Sequence, residues 1–135
     1  MKQIFTALAF GVAFSIYTPA LSAQDLGKRV DEVYQHHLAD LFVHFHQNPE
    51  LSFMETQTAA RLANELESVG FTVYRGIAQT GLVALMENGS GPMVMVRADM
   101  DGLPVEEKSG LSYASRARQT DWNGNEVYVM HACGH

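Results

Sequence analysis

The residues Val127-Tyr-Val-Met-His-Ala-Cys-Gly-His135 join a short apolar run to three side chains that can bind metal. A short apolar run bounded by turn residues is typical of a buried strand. Alternate positions of an extended backbone point to the same side, so His131, Cys133 and His135 are predicted to face one place at the end of that strand. Thiolate and imidazole ligands suit zinc and similar transition metals. The stretch therefore predicts a sheet that carries a metal site at one edge.

A second apolar run leads to acidic residues in the same way. Met93-Val-Met-Val-Arg-Ala98 is nearly all apolar, as in strands covered on both faces, and Asp99 and Asp101 follow it. Sites in open α/β sheets form just beyond the carboxyl ends of strands. If the two strands are neighbours, carboxylate, imidazole and thiolate share one crevice and could bind one or two divalent ions.

Each of these features also has a purely structural interpretation. The Asp-x-Asp-Gly turn can cap backbone amides, and a cysteine beside histidine is often a packed thiol. His46 falls at a predicted helix end, where an imidazolium stabilises the helix dipole. Two clusters of metal-capable side chains, each after a predicted apolar strand, are less expected by chance in one short chain. Together they favour a metal site.

The first half of the chain predicts two helices. Apolar residues recur at helical spacing over residues 25–46, and Asn48-Pro49 ends that helix because the residue before proline avoids helical geometry. Ser52-Phe-Met-Glu55 has the capping-box pattern of a second helix. Gly70 is placed to end that helix in the left-handed conformation.

Four strands are predicted after the helices. They cover residues 71–75, 81–86, 93–98 and 127–130, and the turn cluster Asn88-Gly-Ser-Gly-Pro92 predicts that the third strand returns antiparallel to the second. The fold class is α/β, with two helices followed by a mixed, largely covered sheet.

Residues 1–23 have the pattern of a cleaved signal peptide: Lys2, an uncharged apolar core, and small residues ending at Ala23. The apolar core is shorter than the roughly 20 residues that span a bilayer. We therefore expect a signal peptide at 1–23, a catalytic-domain portion at 24–135, a periplasmic or secreted location, and no stable membrane insertion after cleavage.

The net charge limits the classes of binding partner that we expect, and the cysteine content limits the disulfides. Removal of residues 1–23 takes away Lys2 and no acid, which leaves 8 basic and 15 acidic residues and a net charge of −7. This balance argues against nucleic acid or an anionic membrane as the partner. The lone cysteine cannot form an intrachain disulfide, so metal ligation or burial would account for it.

Three segments together resemble the amidohydrolase branch of a di-metal metallopeptidase family, which includes hydrolases of hippurate, N-acyl amino acids and indole-acetyl amino acids. They are Phe45-His-Gln-Asn-Pro-Glu-Leu-Ser-Phe-Met-Glu55, Val96-Arg-Ala-Asp-Met-Asp-Gly-Leu-Pro-Val-Glu106 and Met130-His-Ala-Cys-Gly-His135. They occur in the family's order and at similar spacing.

The resemblance implies a zinc-exopeptidase-like catalytic domain with two ions, zinc or manganese, in each full-length subunit, and a homodimer. It implies that Cys133 and His135 bind metal, and that Asp101 is the catalytic-site acid that orients a metal-binding histidine. The implied reaction is metal-assisted hydrolysis of the amide bond of N-acyl amino acids or small peptides.

The family pattern continues beyond residue 135 with a general base and further ligands, so we expect this chain to be an N-terminal fragment that is inactive alone. Two other hypotheses stay open: an exported metal-binding fragment without turnover, and an amidase in which Cys133 is the nucleophile with His131 or His135 as base. The acyl group, the amino acid and the metal are not fixed by the sequence.

Overall fold

The computed structural model describes residues 22–133, which begin with a long helical path. This path comprises α1 (Ala23–Val33), one π-helical segment (Tyr34–Leu38) and α2 (Ala39–Gln47). It confirms the first predicted helix, although the predicted apolar stripe is not covered along its first half: α1 has no buried residue, and Leu26 and Val30 are each 56% exposed.

The second helix, α3 (Thr56–Ser68), is also confirmed, but its predicted capping box is wrong. Glu55 is the N-cap residue and makes no side-chain cap bond. The carboxylate of Glu50 instead accepts the backbone N–H groups of Gln57 at 3.1 Å and Thr58 at 2.7 Å. A carboxylate supplies the charge that the unpaired N–H groups at a helix N-terminus favour, so Glu50 displaces the local cap.

Gly70 ends α3 as predicted. Its φ is +95°, and the Phe71 N–H donates to the Leu66 carbonyl at 3.0 Å. This left-handed turn sends the chain directly into the first strand.

Two of the predicted strands form an antiparallel hairpin. β1 (Thr72–Ile77) pairs with β2 (Gly81–Leu85). The turn between them holds Ala78 at φ 49° and Gln79 at φ 87°, the left-handed conformations that suit tight hairpins. A Cβ on Gly81 would lie 2.6 Å from the Ile77 carbonyl oxygen, so the return of the chain requires glycine there.

The predicted third strand is wrong. Residues 93–98 form no strand and do not return antiparallel to β2. Met93 to Val96 are between 82% and 90% exposed, rather than covered on both faces. An apolar run indicates side chains that favour burial. A strand also needs a neighbouring strand for its backbone hydrogen bonds, and within residues 22–133 no strand lies beside residues 93–98.

The last described strand pairs with a partner that the sequence did not predict. β4 (Glu126–Tyr128) lies antiparallel to β3 (Arg118–Thr120). In the turn between them, the Asp121 carboxylate accepts the backbone N–H groups of Asn123 and Asn125, and the bond from Asn125 contributes most to lowering its pKa. The Asn123-Gly124 pair is a strong hairpin signal that could have revealed this turn.

Two isolated bridges connect these parts around a small core. Leu51 pairs with Gly102 in parallel, and Leu103 pairs with Met130 in antiparallel. Leu51, Ala63 and Val129 are the buried apolar side chains of the described residues. Helices followed by parallel and antiparallel strand pairing confirm the α/β class. None of the helices within residues 22–133 is both long and apolar enough to cross a membrane.

Candidate metal centre

The segments that carry the predicted metal-site residues lie side by side. The Leu103 N–H donates to the Met130 carbonyl at 2.8 Å, and the Met130 N–H donates to the Leu103 carbonyl at 3.1 Å. Asp101 comes two residues before one end of this bridge, and His131 comes one residue after the other. The backbone therefore joins the acidic turn to the His131–Cys133 segment through a single bridge. The predicted pairing of strands 93–98 and 127–130 is not formed, because residues 93–98 form no strand.

His131 has a buried ring nitrogen without a partner. Its Nε2 makes no hydrogen bond within the described residues. Burial is the main cause that lowers the pKa of His131, and the charge of His46 adds to this, while the backbone and carboxylate of Asp101 act in the opposite direction. The ring is thus held in its neutral form, which leaves a lone pair for a metal ion or a hydrogen-bond donor.

The acidic turn borders a cleft of about 230 Å³. Its lining includes Glu55, Thr80, Asp99 and Asp101. Thr80 donates its hydroxyl to the Glu55 carboxylate at 2.5 Å, which fixes the β1–β2 turn over this cleft. Asp99 accepts from Arg97 at 2.5 Å.

Of the two predicted metal ligands, the structure describes Cys133 alone. Cys133 is exposed, with its thiol accessible to a metal ion. His135 lies outside the described residues. Within residues 22–133, no group of three or more His, Cys, Asp or Glu side chains is gathered closely enough to hold a metal ion. Ligation by Cys133 and His135, and the catalytic role of Asp101, stay predictions.

The donor set nevertheless fits a divalent ion. An accessible thiol, an unpartnered imidazole nitrogen and a half-buried carboxylate occur on two bridged segments. Sulfur and nitrogen donors suit zinc, and a carboxylate suits zinc or manganese.

A second histidine, His46, belongs to a buried network beside this site. Its Nε2 lies 3.0 and 3.1 Å from the two oxygens of Glu107, whose side chain is 1% exposed. The Ser109 hydroxyl and the Ser115 N–H also donate to Glu107. These two bonds, followed by that of His46, lower the pKa of Glu107 to about 2. His46 lies in the last turn of α2, as predicted, and it also contacts an ionised carboxylate directly.

The network continues to the strand that leads to His131. The Ser115 hydroxyl donates to the Val129 carbonyl at 2.7 Å, and the Val129 N–H donates to the Ala117 carbonyl at 3.0 Å. Tyr113 closes the other side of His46, with ring centroids 5.3 Å apart. Sequence reasoning missed Glu107 and Ser115, because single polar residues in a mixed segment carry no local pattern.

The same fold occurs in a solved metallopeptidase. The YXEP protein of Bacillus subtilis, a dinuclear metal-binding peptidase from the M20 family, matches with a TM-score of 0.63 and 31% identity over 78% of this chain and 27% of that one. This chain is similar to that peptidase in sequence and in fold over the part that it spans.

The sequence relatives of this chain include amidohydrolases. Hippurate hydrolase of Campylobacter jejuni is 42% identical over 91 residues, which are 67% of this chain and 21% of that protein. N-acetyl-L-cysteine deacetylase of Bacillus subtilis is 40% identical over 93 residues, which are 68% of this chain and 20% of that protein. No family model matches the chain. The chain thus spans about a fifth of the length of these curated relatives.

Proposed function

We propose that this chain serves in metal-dependent hydrolysis of the amide bond of N-acyl amino acids or similar small amides. The observation that carries the proposal is the bridge that brings Asp101 beside His131, with the His131 Nε2 left without a partner in the described residues. Relatives named for hippurate and for N-acetyl-L-cysteine support the substrate class. The dinuclear metal of the YXEP protein supports two ions in the whole enzyme. The choice of zinc or manganese follows from the donor chemistry.

The residues of this chain that would hold metal are Cys133 and His135, and Asp101 would orient a metal-binding histidine. When bound, divalent ions polarise the substrate carbonyl and lower the pKa of water toward neutrality. Within the chain, the Leu103–Met130 bridge brings the turn of Asp101 beside the segment that starts at His131. The cleft beside Asp99 and Asp101 gives a small amide a place to approach this edge.

We extend the proposal to location and assembly on the basis of sequence alone. Residues 1–23 act as a signal peptide, and the whole enzyme works as a homodimer in the periplasm or outside the cell. Edman sequencing of the exported protein should start at Gln24. A first residue at Met1 would count against cleavage.

The experiment that tests the activity uses the polypeptide encoded by the whole reading frame that contains this sequence. Hippurate and several N-acetyl amino acids are offered with zinc or manganese, and again after chelation. We expect chelation to abolish hydrolysis, and Cys133→Ala to reduce kcat/KM roughly 100-fold, the upper range for lost metal-site groups. The neighbouring exposed variant Ala132→Ser is the control and should retain activity.

Two results would count against the proposed function. One is hydrolysis that survives complete removal of metal. The other is the absence of turnover with every acyl amino acid under both metals.

The exposure of Cys133 and the open nitrogen of His131 support a second candidate, in which the thiol attacks the amide and the imidazole takes its proton. This candidate predicts activity without metal. The chelation experiment therefore separates the two.

A further inference from the structure

The chain contains two histidine–glutamate pairs that differ in burial. His37 and Glu65 meet at 2.8 Å on the surface, with side chains 52% and 21% exposed. His46 and Glu107 meet at 3.0 Å in the interior, with side chains 15% and 1% exposed. Burying a carboxylate is costly unless hydrogen bonds satisfy it, so the second pair requires a dedicated set of donors.

Those donors connect Glu107 to the strand that leads to the metal centre. One carboxylate oxygen accepts the Ser115 N–H at 2.5 Å. The hydroxyl of Ser115 then donates to the Val129 carbonyl at 2.7 Å. Val129 is 1% exposed and precedes Met130, whose backbone makes the bridge to Leu103. Two short bonds, joined through Ser115, thus connect the carboxylate to Val129, two residues before His131.

The other side of the carboxylate contacts His46. The His46 ring is held by Glu107 and by the edge of Tyr113. The link through Ser115 is therefore the one that joins Glu107 to the segment before His131, although Glu107 lies 24 positions earlier in the chain than His131.

We propose that Glu107 is a positioning residue, which acts through Ser115 to fix the His131–Cys133 segment for metal binding. The inference rests on the proposed function, because it takes Cys133 as a ligand. Glu107 itself contacts neither metal nor substrate in this role. Groups that orient metal ligands typically change metal affinity by 10–100-fold when they are lost.

Cobalt(II) is the probe, because a thiolate bound to it gives a charge-transfer band in the near ultraviolet. The 135-residue chain and its variants are titrated with cobalt at a temperature where each is folded. We expect Glu107→Gln to weaken cobalt affinity roughly tenfold or more and to alter the visible spectrum. The matched control Glu65→Gln, in the exposed pair, should bind cobalt as the unaltered chain does.

A second variant covers the case in which Glu107→Gln does not fold. Ser115→Ala removes the hydroxyl link to Val129 and leaves Glu107 and the Ser115 N–H in place, so it should weaken cobalt binding in the same direction. Thermal unfolding without metal is measured for all variants. A merely structural role would lower the melting temperature and leave the cobalt affinity and spectrum of the folded protein unchanged.

The outcomes separate this inference from the proposed function. If the unaltered chain gives no thiolate band, or if Cys133→Ser retains it, the metal site is wrong and the inference is overturned with it. If the band is present and both Glu107→Gln and Ser115→Ala match the unaltered chain, only the positioning role is overturned. Weakened binding in the folded variants, with Glu65→Gln unchanged, supports it.

Discussion

The carboxylate of Glu50 accepts the backbone N–H of Thr58 at 2.7 Å, and the main-chain carbonyl of Glu50 accepts the Gly102 N–H at 2.6 Å. One residue therefore caps α3 and holds the turn that follows Asp101. The start of a helix and the acidic edge of the candidate site are fixed by the same short segment.

Replacement of Glu50 by alanine should lower the free energy of unfolding by about 1–2 kcal/mol, because two N–H groups of α3 lose their acceptor and the helix dipole loses an anion. Urea unfolding measures the change. Glu87→Ala, in the exposed loop after β2, is the control and should change stability by less than about 0.5 kcal/mol. Equal effects of the two variants would refute the capping role.

Gly102→Ala should destabilise the chain by about 1–3 kcal/mol, as overpacking does in a filled core. The new Cβ would lie 2.8 Å from Cγ1 of Val129 and 2.9 Å from Cβ of Pro49. Gly91→Ala is the matched control, since a Cβ there meets nothing within 4 Å. Thermal unfolding of both variants gives the comparison, and a Gly102→Ala protein as stable as Gly91→Ala would contradict this packing.

Glu107 should make folding sensitive to acid. Its pKa is lowered from 4.5 to about 2 in the folded chain, so the ionised form stabilises folding above pH 4.5, and this contribution is lost as the pH falls toward 2. Unfolding near pH 3 should therefore take up about one more proton in the unaltered chain than in Glu107→Gln. The pH dependence of urea unfolding measures this uptake, with Glu87→Gln as control. The same acid slope in Glu107→Gln and the unaltered chain would show that Glu107 is not the group concerned.

The run from Met93 to Val96 should drive self-association. Exposed apolar strands with unpaired backbone groups pair readily with other chains, and a lysine within the run opposes that pairing. Val94→Lys should increase the monomer fraction in light scattering at a given concentration. Val69→Lys replaces an isolated exposed valine, 63% exposed, and should have little effect. A sharp, monomeric thermal transition of the unaltered chain would argue against the prediction.

Iodoacetamide should alkylate Cys133 rapidly in the metal-free chain, because the thiol is exposed and is the only cysteine. Excess zinc should protect it if the thiolate is a ligand. Mass spectrometry of the labelled chain measures the rate, and Cys133→Ala confirms the site of labelling. Labelling that ignores zinc and abolishes hydrolysis would favour the nucleophile hypothesis.

Local patterns in the sequence were sufficient for both helices and for the first two strands. Helical periodicity, Asn48-Pro49 and Gly70 act through the backbone of neighbouring residues, so their effect can be predicted from short windows. The Leu103–Met130 bridge was not predicted, because the apolar run expected to pair there, residues 93–98, forms no strand.

The sequence predictions were wrong or incomplete where residues distant in the chain decide the hydrogen bonding. Ser52 and Glu55 have the spacing of a capping box, but Glu50 supplies a charged acceptor from outside the helix. The run at 93–98 has the composition of a covered strand, but composition does not reveal whether a neighbour is present. Glu107 and His46 are 61 positions apart, and no local pattern connects them.

The exposure of Met93 and Met95, each 86%, has a chemical consequence beyond folding. Thioethers in contact with water react with peroxide, and each sulfoxide replaces a flexible apolar side chain with a polar, chiral one. Oxidation would thus erase the hydrophobic character of this segment without any change in the gene. Any partner that later shields the two sulfur atoms would also protect the chain from that damage.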